Sequence, residues 1–588
     1  MRIPALTGWL QTNIGDTLGS LFGSFNLDLI SRRGKVRVSS RLVKNVDSSD
    51  LSNLGLPAAI TISSQATSPI AYIWVIAGAR VFYSVGGPNT AFIQDATSGT
   101  PTSCSSDISD FSQAFGNTYV SQSTSTIKYI NSGVWSSFTA GSGGGLGQML
   151  KFGSRVYKVD NNNKDIISWD SSHTVASAGT QYTLQNLCDN VNNAISWIAA
   201  NSSRIFIGTV SYNGTPGIVY GWDGSQTTIN ETYLLDDAGS LAGVIKNNTP
   251  WIFDVSGRLS SFNGGSFREV TRIPLENTKM LGSYFGNRSS WPVHYNGIKL
   301  IDGRININIL TTLWDTDGTI QENIPSGIWE YDENVGFYHK QSFGLSKSGD
   351  TITDYGASKL SAVGAISAVK FPSNNLTQGS TNGLMMAGAT FFTDATTTRK
   401  GLYYNDSNDT LQKSGYLLTN KIYSQNIADA WNTFWLRNKK LLTSTDRIKI
   451  KYRTSEVASI EQTITWTNST VFSTTLNTGI AVGDEVEILQ GTGAGIVAHI
   501  TAIETSGGNY NITMDTTFTG ISNGLTGKAR FQKWILLDTI SDQITQFNDM
   551  TFGENDKSPW VQLKIYMLFT GRDEFYDLFI DNQTWQKP

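Results

Sequence analysis

The apolar positions of this chain fall in short runs separated by polar residues, and the runs recur in pairs between residues 71 and 405. The first run of each pair is rich in aromatic or β-branched residues, as in NTYVSQ from Asn117. The second places an aromatic residue just before Asp, Asn or Gly, as in YGWDG around Trp222. Short alternating runs between such turn residues are typical of antiparallel strands. The pattern therefore predicts hairpins.

The aromatic residues of the second runs repeat about 40 to 73 residues apart. They are Tyr129, Trp169, Trp222, Phe262, Tyr331 and Tyr404. Four-stranded propeller blades repeat at about 40 to 50 residues, and the longer intervals fit blades that carry long loops. Residues 71–85 predict an additional early blade. The repeats thus indicate a β-propeller of six or seven blades within residues 26–413.

The pattern changes after about residue 414. Alternating or apolar runs such as DRIKIKYRTSE, WILLDTI and WVQLKIYMLF predict a β-sandwich built from residues 414–461 and 533–588. Between them, residues 462–532 contain short strands broken by GTGAG, which predicts a small inserted five-stranded β-barrel. The glycine run lacks the Lys-Ser/Thr and helix of a nucleotide loop, so it favours a hairpin or tight barrel corner over phosphate binding.

Residues 1–25 carry apolar side chains near helical spacing, including Leu6, Leu10 and Ile14, although several glycines interrupt them. They predict an N-terminal arm or short helix that packs on this subunit or a neighbour, with membrane contact as the minority alternative. The segment lacks the continuous apolar region of a signal peptide, and no later run reaches the length of a membrane-spanning helix.

Composition supports the all-β class independently. The 588 residues include 57 Gly but 13 Pro, and charged residues make up 16%, against about 25% in ordinary domains. The net charge of −4 does not indicate a protein that grips phosphate backbones. A basic cluster near the start predicts a solvated or subunit-facing strand surface, with an anionic partner as the alternative. Its members are Arg32, Arg33, Lys35, Arg37, Arg41 and Lys44.

The chain offers few residues for catalysis or metal binding. Cys104 and Cys188 have no partner spacing of a zinc site, and both are expected to be inert thiols. The histidines lie in four unrelated settings, and the aromatic neighbours of His294 and His339 predict strand residues with a hydrogen-bonded ring rather than catalytic bases. We therefore expect no catalytic residue, no metal site and no cofactor. The histidines are His173, His294, His339 and His499.

Three acidic pairs are candidates for glycosidase carboxylates, because propellers host such enzymes. Each pair lies at a turn, where Asp accepts hydrogen bonds from nearby backbone N–H groups. Turn chemistry is therefore the preferred interpretation, and two partial calcium-loop patterns, DTDG and DNNNKD, are interpreted in the same way. The pairs are Asp236 and Asp237, Asp315 and Asp317, and Asp332 and Glu333.

The aromatic residues provide the only candidate contact site. Trp135 in SGVWSS and Trp222 in YGWDG lie at turns and are predicted to be exposed, whereas most other aromatic residues are expected to fill the blades. Exposed rings of this kind would suit a glycan-binding lectin or a receptor-binding fibre.

Four features of the chain together resemble structural tail proteins of tailed bacteriophages. They are the repetitive propeller, the strand-rich end with WVQLKIYML, the inserted segment VGDEVEILQGTGAGIVAHITAI and the opening FGSFNLDLISRRGKVRVSSRLVKNV. The resemblance covers most of the chain in style. It implies a virion protein made in the host cytoplasm, similar to the propeller-bearing nozzle or tail tubular protein, with no catalytic residues to transfer.

The partners implied by this resemblance are other copies of the chain in a ring, with a hexamer as the expected copy number, other tail and connector proteins, and tail fibres. DNA would pass through the ring without sequence-specific binding, and the host surface is a further candidate partner. A receptor- or glycan-binding tail component is the alternative function, and a propeller glycosidase is the third.

Overall fold

In the computed structural model, the chain is almost entirely β-strand. The structure describes the following residues: 2–3, 21–25, 27–28, 36–39, 42–45, 72–76, 80–84, 91–93, 102–104, 108–122, 124–131, 134–143, 146–272, 293, 295–309, 327–333, 335–341, 359–369, 384–392, 398–405, 414–419, 422–423, 433–438, 441, 446–454, 460–475, 480, 482, 484–491, 494, 497–518, 520–532, 535–541, 547–551, 560–568 and 574–581. These residues contain no α-helix and one turn of 3-10 helix, at Asn161–Asn163.

Five strands precede the repeats. They are β1 (Arg2–Ile3), β2 (Leu21–Phe25), β3 (Leu27–Asp28), β4 (Val36–Val38) and β5 (Leu42–Asn45).

The repeats form strands β6 to β31, which pair as antiparallel sheets in chain order. Their bounds are β6 (Tyr72–Ile76), β7 (Arg80–Ser84), β8 (Ala91–Ile93), β9 (Thr102–Cys104), β10 (Ile108–Ala114), β11 (Asn117–Gln122), β12 (Thr126–Asn131), β13 (Val134–Thr139), β14 (Met149–Phe152), β15 (Arg155–Asp160), β16 (Asp165–Trp169), β17 (Asn193–Ala200), β18 (Ile205–Ser211), β19 (Ile218–Trp222), β20 (Glu231–Leu234), β21 (Ser240–Lys246), β22 (Thr249–Asp254), β23 (Arg258–Phe262), β24 (Phe267–Arg272), β25 (Ile298–Ile301), β26 (Arg304–Ile309), β27 (Gly327–Asp332), β28 (Gly336–Gln341), β29 (Lys359–Val369), β30 (Leu384–Phe392) and β31 (Thr398–Asn405).

The first strands of successive sheets form a closed ring. Each of β6, β10, β14, β17, β21, β25 and β29 contacts the next, and β29 contacts β6. Among the described residues this gives a β-propeller of seven blades, within the predicted six or seven. Blade 1 consists of the hairpins β6–β7 and β8–β9, where residues 71–85 predicted an early blade. Blades 2, 4, 5 and 6 have four consecutive strands, and blade 3 has three.

Blade 7 takes its fourth strand from the other end of the repeats. Strands β29, β30 and β31 are completed by β5, whose residues Leu42 to Asn45 pair antiparallel with residues 402–405. A strand from before the first blade therefore closes the ring after the last one. The pairing covers the edge of β31, which would otherwise be open to another chain.

The repeated aromatic residues occupy one structural position. Each lies on the third strand of its blade, which explains why a single sequence signature marks every repeat. Tyr129 lies on β12, Trp169 on β16, Trp222 on β19, Phe262 on β23, Tyr331 on β27 and Tyr404 on β31.

Aromatic and aliphatic side chains fill the spaces between blades. Trp197 of blade 4 lies against two glycines, Gly208 on the neighbouring strand and Gly243 on blade 5. A Cβ atom at Gly243 would lie 2.5 Å from the indole ring, so glycine is required there to admit the tryptophan. The indole Nε1 donates to Ser240 Oγ at 2.8 Å, which satisfies its buried N–H group.

The remaining strands form two further units. Their bounds are β32 (Ser414–Thr419), β33 (Ile422–Tyr423), β34 (Thr433–Asn438), β35 (Arg447–Thr454), β36 (Ile460–Trp466), β37 (Val471–Thr474), β38 (Glu485–Gln490), β39 (Val497–Ser506), β40 (Asn509–Met514), β41 (Thr526–Gln532), β42 (Ile535–Ile540), β43 (Phe547–Thr551), β44 (Trp560–Leu568) and β45 (Glu574–Asp581).

The C-terminal β-sandwich has two six-stranded sheets. One has the order β3-β4-β45-β34-β43 with β1 beside β45, and the other has the order β2-β32-β44-β35-β42 with β33 beside β44. The N-terminal strands thus complete both sheets. Residues 2–3 and 21–25 of the predicted arm are strands, and residues 4–20 lie outside the described residues. Strands β3 and β4 pair in the sandwich, although the sequence assigned residues 26–413 to the propeller.

The inserted barrel is closed by six strands in the order β36-β37-β40-β39-β38-β41. The prediction of five strands was wrong, because the short β37 contributes a separate strand after the turn at Asn468. Trp466, Phe472 and Phe531 are buried in the barrel interior. Gly491 directly follows β38 and has a φ of 91°, at the start of the connection to β39, as the predicted hairpin requires. Gly493 and Gly495 lie outside the described residues.

The propeller and the barrel are both insertions into the sandwich. The propeller lies between β4 and β32 of the chain, and the barrel lies between β35 and β42. The outer strand of blade 6, β28, contacts β2 and β3 of the sandwich. Ser39 Oγ donates to the carbonyl oxygen of Lys340 on β28. The sandwich is therefore the hub of the molecule.

Candidate functional site

Propellers present ligand sites where their innermost strands converge, so the axis is the first place to look for chemistry. Asp110 lies on β10, the innermost strand of blade 2, and is buried. Its Oδ1 accepts from Asn296 Nδ2 at 3.0 Å and its Oδ2 accepts from the backbone N–H of Met149 at 2.7 Å. Asn296 belongs to blade 6 and Met149 to blade 3. Because blades 2 and 6 lie across the ring from each other, this carboxylate spans the axis.

A second bond crosses the axis beside it. The hydroxyl of Tyr295 donates to the carbonyl oxygen of Leu146 at 3.0 Å, which joins the entry to blade 6 with the entry to blade 3. Burial raises the pKa of Tyr295 well above its usual value, so the hydroxyl keeps its proton and remains a donor. The two bonds make a polar plug, formed by Asp110, Tyr295 and Asn296.

Two further side chains adjoin the plug. Gln148, also buried, accepts from the backbone N–H of Ile198 through Oε1 at 2.8 Å, which ties blade 3 to blade 4. Lys299 lies on β25, the innermost strand of blade 6. Burial lowers the pKa of its ammonium, and the negative charge of Asp110 opposes that shift. The hydrogen bonds of Asp110 and Tyr295 go to other blades, which makes the plug a structural brace across the ring.

Trp222 is fully buried, so the prediction that it is exposed was wrong. Its indole Nε1 donates to the carbonyl oxygen of Gln226 at 3.0 Å, and its ring packs edge-on against Tyr157 at 5.4 Å. The sequence places Trp222 just before a turn, but its ring on β19 packs against Tyr157 of blade 3, the preceding blade. Burial was therefore decided by a neighbour distant in sequence.

Trp135 lies on β13, the outermost strand of blade 2. It is partly buried against the aromatic and aliphatic core that extends over blades 2 to 5. The adjacent Val134 is 66% exposed, and Leu234 on the outermost strand of blade 4 is 70% exposed. The rim of the propeller therefore presents scattered apolar side chains.

The histidines occupy the settings of packed residues. His339 is fully buried on β28 and meets the Trp329 ring edge-on at 5.5 Å, which confirms the prediction of a strand residue. His173 lies between the rings of Tyr129 and Phe138, at 4.2 and 4.8 Å. Burial lowers the pKa of His173 and the Asp170 carboxylate opposes the shift. His294 lies outside the described residues.

The acidic pairs that the sequence singled out take part in ion pairs. Asp237 pairs with Arg258 at 2.6 Å, and Asp236 pairs with the same guanidinium at 3.5 Å. Asp332 pairs with Arg304 at 3.3 Å, and Glu333 with Lys246 at 2.9 Å. These carboxylates are neutralised by basic side chains of the same or a neighbouring blade, and hydrogen bonds to them from turn backbone N–H groups stay a prediction. Asp315 and Asp317 lie outside the described residues.

The DNNNKD segment forms a left-handed turn in blade 3. Asn161, Asn162 and Asn163 have φ values of 49°, 55° and 66°, a region that Asn tolerates better than most residues. The Asp160 carboxylate accepts from the backbone N–H groups of Ser142 and Gly143, at 2.6 and 3.1 Å. Its oxygens are thus engaged by the protein. Within the described part of the chain, no group of three or more His, Cys, Asp or Glu residues is arranged to hold a metal ion.

Sequence reasoning missed the plug entirely. Asp110 and Asn296 are 186 residues apart, and each belongs to a segment with no distinctive motif. The one signal available was the presence of an Asp and an Asn in otherwise apolar surroundings, which is too common to identify a site. Cys188 is buried, as expected for an inert thiol, and nothing is described of the Cys104 side chain.

Comparisons with known proteins add no family. No family model matches the chain, and no curated protein matches it. In the part of the chain that the structure describes, no helix has the length and apolarity needed to cross a membrane.

The solved structures that match the chain do so loosely, with low sequence identity and TM-scores below 0.5. The computationally designed Ika8 protein has 12% identity and a TM-score of 0.33, with 68% of this chain and 98% of that chain covered. BamB from Moraxella catarrhalis has 11% identity and a TM-score of 0.29, with 58% and 94% covered. Hsv2 from Kluyvelomyces marxianus has 13% identity and a TM-score of 0.28, with 50% and 94% covered. The propeller assignment rests on the closed ring of blades.

Proposed function

We propose that this protein is a structural component of a bacteriophage tail, of the nozzle or tail-tube type, which forms a ring around the DNA exit channel. The observation that carries the proposal is the nested architecture. One sandwich hub holds a propeller and a barrel as insertions, and the chain from before the propeller completes sheets in the hub and in the last blade. Three joined β units give the subunit several broad faces for neighbours.

The braced axis of the propeller supports the same role. Asp110 and Tyr295 join opposite blades where a ligand or substrate would otherwise enter. A propeller cross-linked in this way is suited to bearing load within an assembly. The passage for DNA would then lie between subunits, and the blades would form part of its wall or of the outer platform.

The charge of the chain is compatible with that passage. The net charge is −4, so a channel formed by several copies would not bind the phosphate backbone by long-range attraction. Heterologous contacts between copies end in a closed ring when the rotation closes. Other tail and connector proteins would bind above the ring and fibres would bind at its side. The ring would be located in the virion.

The test is the mass and symmetry of the purified full-length protein by electron microscopy, alone and in the presence of tail particles. A closed ring with an axial opening, hexameric by expectation, supports the proposal. A protein that stays a monomer or a trimer in both conditions, without forming a closed ring, overturns the proposal.

A second candidate function is receptor or glycan binding, favoured by the apolar side chains at the rim. Val134 and Leu234 are strongly exposed on the outermost strands of blades 2 and 4, with Trp135 beside Val134. Binding of the full chain to host cells, compared with the Trp135→Ala and Leu234→Ser variants, tests this function. A loss of binding in either variant supports it, and unchanged or absent binding removes it.

A further inference from the structure

The barrel meets the sandwich through buried charges. Lys451 on β35 and Lys564 on β44 belong to the sandwich, and both ammonium groups contact the carboxylate of Glu485, the first residue of barrel strand β38. Lys564 Nζ lies 3.0 Å from Glu485 Oε1, and Lys451 pairs with Oε2. The side chains of Lys451, Lys564 and Glu485 are 1%, 4% and 0% exposed.

The two lysines are directly opposite each other across the β35–β44 pair. Like charges at directly opposed positions destabilise a sheet, and burial makes the repulsion stronger. Glu485 of the barrel is the carboxylate that contacts both. Two tyrosine rings assist: Tyr566 lies 4.5 Å from Lys451 Nζ, and Tyr416 lies 5.0 Å from Lys564 Nζ. A face that holds two ammonium groups by itself therefore depends on the barrel for its counter-charge.

A second group of charges lies beside the first. The Asp515 carboxylate of the barrel accepts from the backbone N–H of His499 and contacts His499 Nδ1, both at 2.8 Å. It also pairs with Lys449 of β35 at 3.8 Å. The charged groups that act on His499 are Asp515 and Glu485 from the barrel and Lys451 from the sandwich, and Lys449 adjoins them through Asp515.

Such a junction separates more readily than an apolar one. Buried ions are stable together only while each keeps its partners, but every one of them regains full hydration when the two faces part. Apolar faces gain nothing of this kind from water. The barrel core is closed within its own six strands, with Trp466 and Phe472 buried inside, so its packing does not require the sandwich.

We propose that the barrel–sandwich junction is an acid-sensitive latch: protonation of Glu485 and His499 releases the barrel, still folded, from the face of β35 and β44. Glu485 loses the charge that holds both lysines, and a charged His499 adds a cation beside Lys449 and Lys451. The latch would let one unit of the subunit change position without unfolding the hub.

The titration of each group has the same sign. Burial raises the pKa of Glu485, but the positive charges of Lys451 and Lys564 outweigh this effect and hold the pKa at about 2. Docking of the barrel on the sandwich therefore weakens as pH falls from about 4.5 towards 2, by up to about tenfold per pH unit. Burial lowers the pKa of His499 in the docked state. As pH falls below about 6.5, His499 is therefore protonated first in released molecules, which weakens docking. Burial also lowers the pKa of Lys451 to about 8, which weakens docking as pH falls from about 10.4 to 8.

Hydroxyl-radical footprinting of the full chain at pH 8, 6 and 4, normalised to the reactivity of the free amino acids at each pH, tests the latch. At pH 4 we expect several-fold faster oxidation of Tyr566 and Tyr416, whose rings lie against Lys451 and Lys564, with unchanged oxidation of Trp466 and Phe472 inside the barrel. Simultaneous exposure of Trp466 and Phe472, or no change at Tyr566 and Tyr416, overturns the proposal.

Two variants separate the latch from general acid damage. Glu485→Gln should reproduce the pH 4 oxidation pattern at pH 8, whereas the matched control Glu487→Gln, two residues along the same strand and paired with Arg530 of the barrel, should not. If Glu485→Gln does not fold, the triple variant Lys451→Met, Glu485→Met, Lys564→Met serves instead. With the buried ions replaced by apolar groups, its junction should stay protected at pH 4, and opening there would overturn the latch.

Discussion

The contact between blades 4 and 5 and the contact between barrel and sandwich each hold two β units together, but they do so by different interactions. Between the blades, Trp197 fills a space that Gly208 and Gly243 leave for it, with one hydrogen bond to Ser240. At the barrel, Glu485 stands between two ammonium groups. The first contact depends on volume and should be indifferent to pH, and the second depends on charge. The contrast shows which contact is fixed and which one can open.

The largest effect that breaks this comparison is expected from Trp197→Ala. Removing a fully buried tryptophan costs about 3–5 kcal/mol of the free energy of unfolding, because a cavity remains between the blades. The loss should be equal at pH 5 and pH 8 when measured by denaturant unfolding.

The control is Trp135→Ala, on the half-buried rim of blade 2, where we expect a loss below about 1 kcal/mol. A cost for Trp197→Ala no larger than that of the control would mean that the indole does not hold the blades together.

A pH-dependent group inside the propeller sharpens the comparison. Burial of Asp254 in blade 5 raises the pKa of its carboxyl to about 7, against hydrogen bonds from Arg258 and Ser256 that lower it. The folded state therefore binds a proton more tightly than the unfolded chain, and stability should fall as pH rises from about 4 to 7, by about 2–4 kcal/mol.

Asp254→Asn keeps the acceptor oxygen for the Ser256 and Arg258 backbone N–H groups and should remove this slope. Thermal unfolding between pH 4 and 8 measures it. The slope of the propeller is opposite in sign to that of the latch, so one acid titration should stabilise blade 5 while it loosens the barrel; equal slopes in wild type and variant would contradict the assignment.

The plug at the propeller axis gives the next smaller effect. Asp110→Ala removes the carboxylate oxygens that accept from Asn296 and from the Met149 N–H. The loss of this acceptor for buried donors should lower the free energy of unfolding by about 2–3 kcal/mol. Asp110→Asn retains one acceptor oxygen and should cost less. Denaturant unfolding of the two variants side by side gives the difference, and equal costs would show that the acceptor oxygens are not what braces the ring.

Tyr295→Phe is the smallest change. It deletes the bond to the Leu146 carbonyl oxygen and keeps the ring, so we expect about 1 kcal/mol. Differential scanning calorimetry of the full chain measures the shift in the propeller transition. A loss as large as that of Trp197→Ala would mean that the hydroxyl supports more of the ring than one hydrogen bond.

The sequence predicted the propeller because its information is local and repeated. An aromatic residue before a turn marked the third strand in each of six blades, from Tyr129 to Tyr404. The same local pattern misled for Trp222, since its exposure depends on the blade packed against it. The barrel was anticipated from its short strands, although the sequence predicted five strands and the closed barrel has six.

Contacts between distant segments could not be predicted in this way. The pairing of β5 with β31, the plug at Asp110 and the ion cluster at Glu485 each join residues without a shared motif. The lysines of RIKIKYR alternate as an exposed strand face would, yet Lys451 is buried. Only the position of the barrel explains that burial.

The completion of blade 7 by β5 also sets an order in time. Strand β5 is synthesised before every blade, but its partner β31 follows roughly 360 residues later, which at about 5–20 residues per second is roughly 20–70 s. Strand β4 waits still longer for β45. Until then β5 has no partner strand in its own chain and β4 has only β3, and neighbouring nascent chains present the same edges. Production of correctly closed subunits should therefore be sensitive to how densely ribosomes follow one another on the message.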